Sequence, residues 1–330
     1  MRKAIYMAAV ALVAIAASQA VAQEKKTLAV VVKGLDNPFF TVLGNGCAKW
    51  NENNPTSEYT CLYTGPALSS DEAGEVQLVA DLLARPDVAG IAISPSNAPA
   101  MAAMLKEKAP TIPIMTIDAD LLPEDHGLRK TYLGTYNYDM GVKMAGHLKT
   151  LKAEGGSVCL QLGNVAAANI NERAAGFRDT ISGTKGIERL KGEGGWTEID
   201  GCPLYTNDDI PTANQQLADV TGANADLSAF ILVGGWAQFG PEAYAATTTA
   251  LEPRLKSKEL VIIAGDTLPP QMDALKAGHS HVQVGQRPFE MGLRAPDVLI
   301  QLIKGETVED PLFTGLDECT QETAATCIGG

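Results

Sequence analysis

Short apolar runs alternate along the chain with longer stretches of helical periodicity. The runs lack a clean two-residue alternation, which is typical of strands buried on both faces. They span residues 28–32, 88–93, 112–117, 157–162, 229–233, 260–264 and 281–284. The longer stretches repeat apolar residues at intervals of three and four, and they span residues 72–83, 98–108, 141–151, 213–220 and 288–303. This order predicts an α/β protein with parallel sheets covered by helices on both faces.

Three predicted helix starts carry a capping side chain just ahead of a proline. Asn37, Asn97 and Asp209 each stand one or two residues before a proline. A side-chain oxygen at this position accepts a hydrogen bond from a free backbone N–H, and proline lacks an N–H that would have no partner there. The motifs therefore predict three helix N-termini.

The first residues have the three parts of a secretory signal peptide. Arg2 and Lys3 precede an apolar stretch at 4–17 that is too short to span a bilayer comfortably, and small residues follow at 20–22. We expect export to the periplasm, with cleavage near Ala22. No cysteine stands at the cut, so a lipid anchor is not predicted.

The charge of the chain excludes one class of partner. Loss of Arg2 and Lys3 takes the net charge from −13 to −15, since residues 1–22 contain no acids. A chain this acidic repels a phosphate backbone, so we expect no nucleic-acid partner. A mature length of about 300 residues predicts two sheets rather than one.

The six cysteines point to disulfides rather than to metal. An even number in an exported protein suggests disulfides, although the spacing does not fix their connectivity. The working expectation is pairing between neighbours along the chain: Cys47–Cys61, Cys159–Cys202 and Cys319–Cys327. Of the four histidines only His279 and His281 are closely spaced, a pattern more typical of a strand surface, so we expect no metal and no cofactor.

Polar and aromatic side chains follow the predicted strands. Ligands of doubly wound sheets bind beyond the carboxyl ends of the strands, where these residues lie. The residues that follow the strands are Lys33, Asn37, Phe39 and Phe40 after the first strand, then Asp118, then Asn164 and, at a helix start expected at 171–173, Arg173, then Trp236, Asp266 and Gln286. All of these except Asn164, together with Asn207, are the ten predicted ligand-binding residues. Planar polar groups between flat rings suit a sugar, which has hydroxyls at its rim and C–H groups on its faces.

Six motifs, in the same order, resemble those of periplasmic sugar-binding proteins of the ribose/galactose-binding type, the substrate-binding components of ABC importers. They are VVVKGLDNPFF at 30–40, MTIDAD at 115–120, LGTYNYDMG at 133–141, NINERAAGFRD at 169–179, IIAGDTLPPQMDALKAG at 262–278 and VQVGQRPFEMG at 282–292. The resemblance covers essentially all of the mature chain. It implies the type I fold, in which three crossovers join two α/β lobes and a sugar binds in the cleft between them.

The resemblance also implies lobe boundaries. The N-terminal lobe comprises 23–135 and 287–313, and the C-terminal lobe comprises 136–286 and 314–330. Hinge segments are expected near 135–136, 266–267 and 285–287, and the chain is expected to return after Phe313. The expected protein is a monomer that closes on its sugar and delivers it to an ABC permease in the inner membrane.

The resemblance gives individual roles on one side of the sugar. Asn37 hydrogen-bonds it, Phe39 and Phe40 lie at its ring face, and Asp118 accepts hydroxyl protons. Without the resemblance, Asn37 is simply an N-cap and the two phenylalanines are core residues. Asp118 then caps a loop, and Lys33 has the least support of the set.

On the other side Arg173 donates two parallel hydrogen bonds, and Asp266 and Gln286 close the ring. Read without the resemblance, Arg173 pairs with an acid on a helix surface, worth little energetically. Asp266 then caps a loop, as Asp118 does in the same interpretation, and Gln286 is a hinge residue only. Asn137 is read as a helix cap near the hinge.

The chain departs from its relatives at three places. Ala119 stands where ribose-binding relatives have arginine, Asn207 where they have a stacking phenylalanine, and 234–236 (Gly-Gly-Trp) where they have Asn-Asp. We therefore predict that Trp236 supplies the stacking face that Asn207 cannot. Ribose itself is disfavoured, while a pentose, hexose, deoxy-hexose or sugar alcohol stays open.

Three other functions are alternatives to sugar capture. A sensor that presents a sugar-like signal to a chemoreceptor or kinase is compatible with the same residues. An enzyme would use Asp118 and Asp266 as an acid/base pair, but the chain has no nucleophile–base motif and no phosphate loop. A sugar-responsive repressor core conflicts with the signal peptide, so binding without chemistry is the favoured interpretation.

Overall fold

The computed structural model describes residues 25–327, so the predicted signal peptide and its cleavage point lie outside the described residues. The strands are β1 Lys26–Val31, β2 Tyr59–Thr64, β3 Val88–Ile93, β4 Ile114–Ile117, β5 Tyr132–Thr135, β6 Gly156–Leu162, β7 Trp196–Glu198, β8 Leu204–Tyr205, β9 Ala229–Leu232, β10 Val261–Gly265, β11 Val282–Gly285, β12 Leu312–Thr314 and β13 Asp317–Thr320. The α-helices are α1 Pro38–Asn53, α2 Glu72–Leu83, α3 Ala98–Lys108, α4 Asn137–Leu151, α5 Ala168–Ser182, α6 Ile210–Ala223, α7 Pro241–Ala250, α8 Glu252–Lys256, α9 Pro269–Lys276 and α10 Pro288–Ile303.

The strands form two sheets, which confirms the predicted fold class. The first sheet has the order β12-β5-β4-β3-β1-β2, and the second has the order β13-β11-β10-β9-β6-β7, with β8 also paired to β6. All strand pairs are parallel except β11 with β13, which lies antiparallel at the edge of the second sheet. The central strands β1, β9 and β10 are almost wholly buried, as their continuous apolar runs predict.

The three predicted capping motifs form as expected. Asn37, Asn97 and Asp209 are the N-caps of α1, α3 and α6, and each side chain accepts a hydrogen bond from a backbone N–H of the first turn. In contrast, α5 begins at Ala168, three residues before the start that the sequence suggests at Asn171. This difference matters because the additional turn adds Asn169 and Ile170 to the helix start.

The chain passes between the two sheets at three places. It leaves β5 for α4 near Thr135, leaves β11 for α10 after Gly285, and leaves β12 for β13 after Thr314. The expected hinge at residues 266–267 is wrong, because β10, α9 and β11 follow one another within the second lobe. We refer to the lobe around the first sheet as the N-lobe and to the other as the C-lobe.

All six cysteines form disulfides, and the pairs are Cys47–Cys61, Cys159–Cys202 and Cys319–Cys327. These are the pairs that the sequence leads us to expect. Each joins two segments of one lobe: α1 to β2, β6 to the segment before β8, and β13 to the chain that follows it. In the part of the chain that the structure describes, no helix is both long enough and apolar enough to cross a membrane.

Candidate functional site

A cavity of about 310 Å³ lies between the carboxyl ends of the two sheets. Its lining comprises Lys33, Asn37, Phe39, Phe40, Asp118, Asn169, Ile170, Arg173, Asp208, Gly234, Trp236, Phe239, Asp266 and Gln286. Nine of the ten predicted ligand-binding residues are in this set, and Asn207 is the exception. The space between these side chains is small, so the ligand that fits is small.

The segment between β1 and α1 supplies one wall of the cavity. Asn37 caps α1 through its side-chain oxygen, 3.0 Å from the backbone nitrogen of Phe39. The cap fixes the first helical turn, in which the rings of Phe39 and Phe40 meet edge to face with centroids 5.3 Å apart. Both rings are buried and both line the cavity, so core packing and a place at the cavity wall are compatible.

Asp118 follows β4 with its backbone in the left-handed region at φ 63°. A non-glycine residue rarely adopts this conformation, and strained residues of this kind cluster at functional sites. Its carboxylate accepts a hydrogen bond of 2.7 Å from the Ser94 hydroxyl. Ala119, at the position of the missing arginine, is fully buried and forms a bridge back to Ile117.

Arg173 is held in place from the C-lobe. Its Nε donates to Asn137 Oδ1 at 2.9 Å, and its Nη1 donates to the Val233 carbonyl at 3.4 Å. Asn137 can reach it because α4 and α5 lie in close contact at Gly141, where a Cβ would overlap the Arg173 carbonyl oxygen. The second terminal nitrogen, Nη2, is buried without a hydrogen-bond partner among the described residues.

Asn137 therefore supports the site without lining it. Its amide nitrogen lies 3.2 Å from the Tyr132 hydroxyl, which in turn lies 2.8 Å from the Asp118 carbonyl oxygen. A chain of hydrogen bonds thus joins the backbone of Asp118 in the N-lobe to the guanidinium of Arg173 in the C-lobe. Asn137 is the first residue of α4 and not its cap, which corrects the role given to it from sequence.

The turn after β8 brings Asp208, and not Asn207, to the cavity. Both residues have positive φ, 51° for Asn207 and 60° for Asp208. Asn207 is exposed and Asp208 is buried. Asp208 Oδ1 lacks a partner among residues 25–327, and burial raises the pKa of this carboxyl against the opposing effect of Lys33.

Trp236 and Phe239 reach the cavity from a 3-10 helix, Trp236–Phe239, that follows β9. Residues three apart in a 3-10 helix eclipse one another, so both rings face the same side. The two glycines before Trp236 predict a close approach of the backbone to a ligand. A Cβ at Gly234 would overlap the indole ring itself, so this glycine makes room for the tryptophan.

Asp266 and Gln286 form a hydrogen-bonded pair where two crossovers meet. Gln286 Nε2 donates to Asp266 Oδ1 at 2.8 Å, and the Thr135 hydroxyl donates to Gln286 Oε1 at 2.9 Å. Asp266 also has a left-handed backbone, at φ 70°. Burial raises the pKa of Asp266 to about 6, although Arg173 and the bond from Gln286 oppose this increase.

Five charged side chains line the cavity: Lys33, Asp118, Arg173, Asp208 and Asp266. Each is between 2% and 5% exposed. Within residues 25–327 none of the five forms an ion pair within 4.0 Å. Buried charges are costly unless they are paired or hydrogen-bonded, so this arrangement suits a ligand with many hydroxyl groups.

Hydrogen bonds cross between the lobes beside the cavity. Lys33 Nζ donates to Asn169 Oδ1 at 3.2 Å, and the backbone nitrogen of Ala98 donates to the Ala166 carbonyl at 3.4 Å. Further along the rim, the Glu72 carboxylate accepts a hydrogen bond from Asn164. The predicted candidate Asn164 thus contacts the opposite lobe rather than the cavity.

Four residues of the lining are not predicted from the sequence: Asn169, Ile170, Asp208 and Phe239. The sequence predicts the start of α5 at 171, three residues later than the structure has it, so Asn169 and Ile170 are not among the predicted residues. The spacing of Phe239 three residues after Trp236 was an available signal. Among the described residues no cluster of three or more metal-ligating side chains occurs, so nothing in that part of the chain indicates a metal site.

Comparison with known proteins supports the resemblance seen in the motifs. Residues 28–307 match the model of the periplasmic binding protein domain. The ribose import binding protein RbsB of Escherichia coli (strain K12) is 25% identical over 310 residues, which cover 93% of this chain and 94% of that protein.

Two solved structures are similar over nearly their whole length. One is an ABC transporter solute-binding protein from Burkholderia graminis in complex with D-arabinose; it is 25% identical with a TM-score of 0.75, and the match covers 92% of this chain and 98% of that chain. The other is an ABC transporter solute-binding protein from Agrobacterium vitis with bound D-fucose, 24% identical with a TM-score of 0.78, covering 91% and 97% of the two chains.

Proposed function

Since the chain belongs to the periplasmic binding protein family, we propose that it binds a monosaccharide or sugar alcohol between its lobes and delivers it to an ABC permease. The observation that carries this proposal is the cavity itself. Carboxylates, amides, a lysine, an arginine and four aromatic rings converge there from both sheets. Hydroxyl groups can donate to the carboxylates and accept from the cations, while the rings offer apolar faces to C–H groups.

The proposed ligand contacts are the nine predicted residues that line the cavity, with Asp208 in the place that the sequence gave to Asn207. Asp118, Asp208 and Asp266 accept hydroxyl protons, and Lys33 and Arg173 donate. Asn37 and Gln286 have amide groups in the lining. The rings of Phe39, Phe40 and Trp236 provide apolar surface. Support comes from burial, since each polar group here has lost most of its water and needs a replacement partner.

Capture proceeds by closure of the lobes about the three crossovers. Each lobe presents part of the cavity, so contacts to both lobes form together only in the closed arrangement and shift the equilibrium toward it. The bonds from Lys33 to Asn169 and from Asn164 to Glu72 add to the closed arrangement. The crossovers after β5 and β11 support the predicted lobe boundaries at 135/136 and 286/287, and the pairing of Thr314 with Thr135 supports a third boundary at 314/315, one residue later than predicted.

The same proposal extends to the setting of the protein. It is a monomeric periplasmic protein, cleaved near Ala22, which releases its sugar unchanged rather than converting it. It binds no nucleic acid, for which its net charge of −15 after cleavage is the support. Its partner in the inner membrane is the permease that recognises the closed lobes.

A binding screen tests the proposal. The purified protein is titrated calorimetrically with pentoses, hexoses, deoxy-hexoses and polyols, with amino acids as a negative panel. At several hundred-fold excess over the dissociation constant, the bound sugar should add roughly 3–4 kcal/mol to the free energy of unfolding. Recovery of the unaltered sugar after denaturation separates binding from turnover. Failure of every sugar and polyol to bind would reject the proposed function.

A further inference from the structure

Two buried polar atoms of residues that line the cavity lack a protein partner. Arg173 Nη2 and Asp208 Oδ1 are buried without a hydrogen bond within the described residues. Both residues belong to the C-lobe and both line the cavity. One atom is a donor and the other an acceptor, so the C-lobe presents an unsatisfied pair of opposite hydrogen-bonding character.

Few chemical groups can satisfy such a pair at once. A hydroxyl accepts a hydrogen bond through its lone pairs and donates one through its proton. A methylene group does neither, an ether or ketone oxygen only accepts, and an ammonium group only donates. Leaving a buried charged group without its partner costs more than leaving a neutral one, so the wrong group is penalised strongly.

The surroundings of Asp208 place this requirement at the edge of an aromatic ring. A Cβ at Gly163 would overlap both Asp208 Oδ1 and the indole of Trp236, so the carboxylate and the ring meet at this glycine. Burial and, to a smaller extent, Asp118 raise the pKa of Asp208, while the charges of Lys33 and Arg173 oppose this increase. An acceptor thus lies beside the surface on which the face of a sugar would pack.

We propose that Asp208 is a specificity-determining residue, which together with Arg173 selects a ligand that carries a free hydroxyl group at one fixed position. The inference rests on the proposed function and narrows it. Deoxy and amino derivatives at that position are rejected, because neither can both accept from Arg173 and donate to Asp208. Derivatives at other positions are discriminated by other residues.

The experiment compares matched ligands on matched variants. The sugar that binds best in the screen is tested together with its deoxy and amino derivatives at each ring position; for glucose these include 2-deoxyglucose and glucosamine. The variants are Asp208→Gly, which tolerates the positive φ and removes the carboxylate, and Asp208→Asn, which keeps the shape without the charge. Asp209→Asn is the control, because asparagine still caps α6.

For the wild type we expect one position at which both derivatives bind more weakly, by on the order of 10- to 100-fold. Asp208→Gly should reduce that ratio to below about threefold and leave the ratios at other positions unchanged. Asp208→Asn should give an intermediate ratio, and Asp209→Asn should match the wild type. Circular dichroism and the melting temperature verify that each variant is folded.

Two outcomes would overturn the inference, and they differ. If sugars bind and Asp208→Gly keeps every ratio of the wild type, then the role of Asp208 is wrong while the proposed function stands. If an amino derivative binds as well as its parent sugar at every position, the hydroxyl requirement is wrong. If no sugar binds the wild type at all, the proposed function itself fails, and the inference fails with it.

Discussion

The two halves of the cavity differ in how completely their polar side chains are hydrogen-bonded to the protein. On the N-lobe side, the polar side chains of Lys33, Asn37 and Asp118 each hold a hydrogen bond to protein. On the C-lobe side, Arg173 and Asp208 each keep one atom without a partner among the described residues. Each of these N-lobe groups already has one protein partner, which for Lys33 is Asn169 of the C-lobe, whereas the C-lobe half keeps two buried atoms that a ligand can satisfy.

This difference indicates that the N-lobe wall positions the ligand, whereas the C-lobe wall selects which ligand binds. The N-lobe wall comes mainly from one continuous segment, in which the cap at Asn37 fixes two aromatic rings. Such a wall supports the face of any small ring. The C-lobe wall combines side chains from separate segments, and its unsatisfied atoms contribute free energy only when the right ligand group meets them.

The largest effect on sugar affinity is expected at Arg173, and its substitution tests directly whether the C-lobe half selects the ligand. Arg173→Lys keeps the charge but loses the planar donors that reach Asn137 and the ligand. We expect the affinity for the sugar to fall by about 100-fold or more, as measured by calorimetry. An affinity within about threefold of the wild type would show that the C-lobe half does not select the ligand.

Arg178→Lys provides the matched control for this change. Arg178 lies on the same helix, but its guanidinium is bonded to Glu198 by hydrogen bonds of 2.7 and 2.9 Å and does not line the cavity. The variant should lower the melting temperature while the dissociation constant of the folded protein stays unchanged.

A smaller effect is expected at Trp236, which tests whether the C-lobe also supplies a ring face. Trp236→Ala removes the apolar surface, and we expect the affinity to fall by about 30-fold. Trp236→Phe should recover most of the loss, because a ring remains. Tryptophan fluorescence on addition of sugar should change in the wild type and not in Trp236→Phe. Unchanged affinity in Trp236→Ala would refute the predicted stacking role.

The smallest effect is a pH dependence that originates at Asp266. Its pKa in the folded protein is about 6, so the carboxylate loses its charge as the pH falls through that value. If the ligand needs the ionised carboxylate, the affinity should fall by about tenfold between pH 7 and pH 5. Asp266→Asn should bind more weakly at every pH but without this slope.

The stability of the ligand-free protein should respond to Asp266 in the opposite direction. A carboxyl whose pKa is raised on folding binds its proton more tightly in the folded state than in the unfolded one. Its contribution to the free energy of unfolding is therefore present at low pH and is lost as the pH rises through about 6. Denaturant melts of wild type and Asp266→Asn at several pH values measure the difference, and parallel curves would contradict the assignment.

Local chemistry explains what could be predicted of the fold. The caps at Asn37, Asn97 and Asp209 depend on residues within one turn of the helix. The buried strands are recognisable from sequence because they are continuous apolar runs. β2 was missed because the segment YTCLYT mixes polar and aromatic residues and is only partly buried. β12 and β13 are short, and their partners are distant in sequence, so no local pattern marks them.

Local sequence position also predicts most, but not all, of the residues that line the cavity. Position after a strand was enough to bring nine of ten predicted residues to one cavity, although their contacts with a ligand stay predictions. At the turn 207–208 the prediction is wrong by one residue, because two successive positive φ angles decide which side chain points inward. Sequence spacing carries no information on such a reversal. The sequence therefore predicts the amide of Asn207, which is exposed, where the structure has the carboxylate of Asp208.

The disulfides have a consequence for how the protein can be used. Each of the three bonds links segments of a single lobe, and within residues 25–327 no disulfide ties one lobe to the other. Oxidation therefore stiffens each lobe and adds no covalent restraint on the rotation of one lobe relative to the other. A pair of fluorophores, one attached to each lobe, would report sugar concentration by energy transfer under the oxidising conditions that keep the scaffold intact.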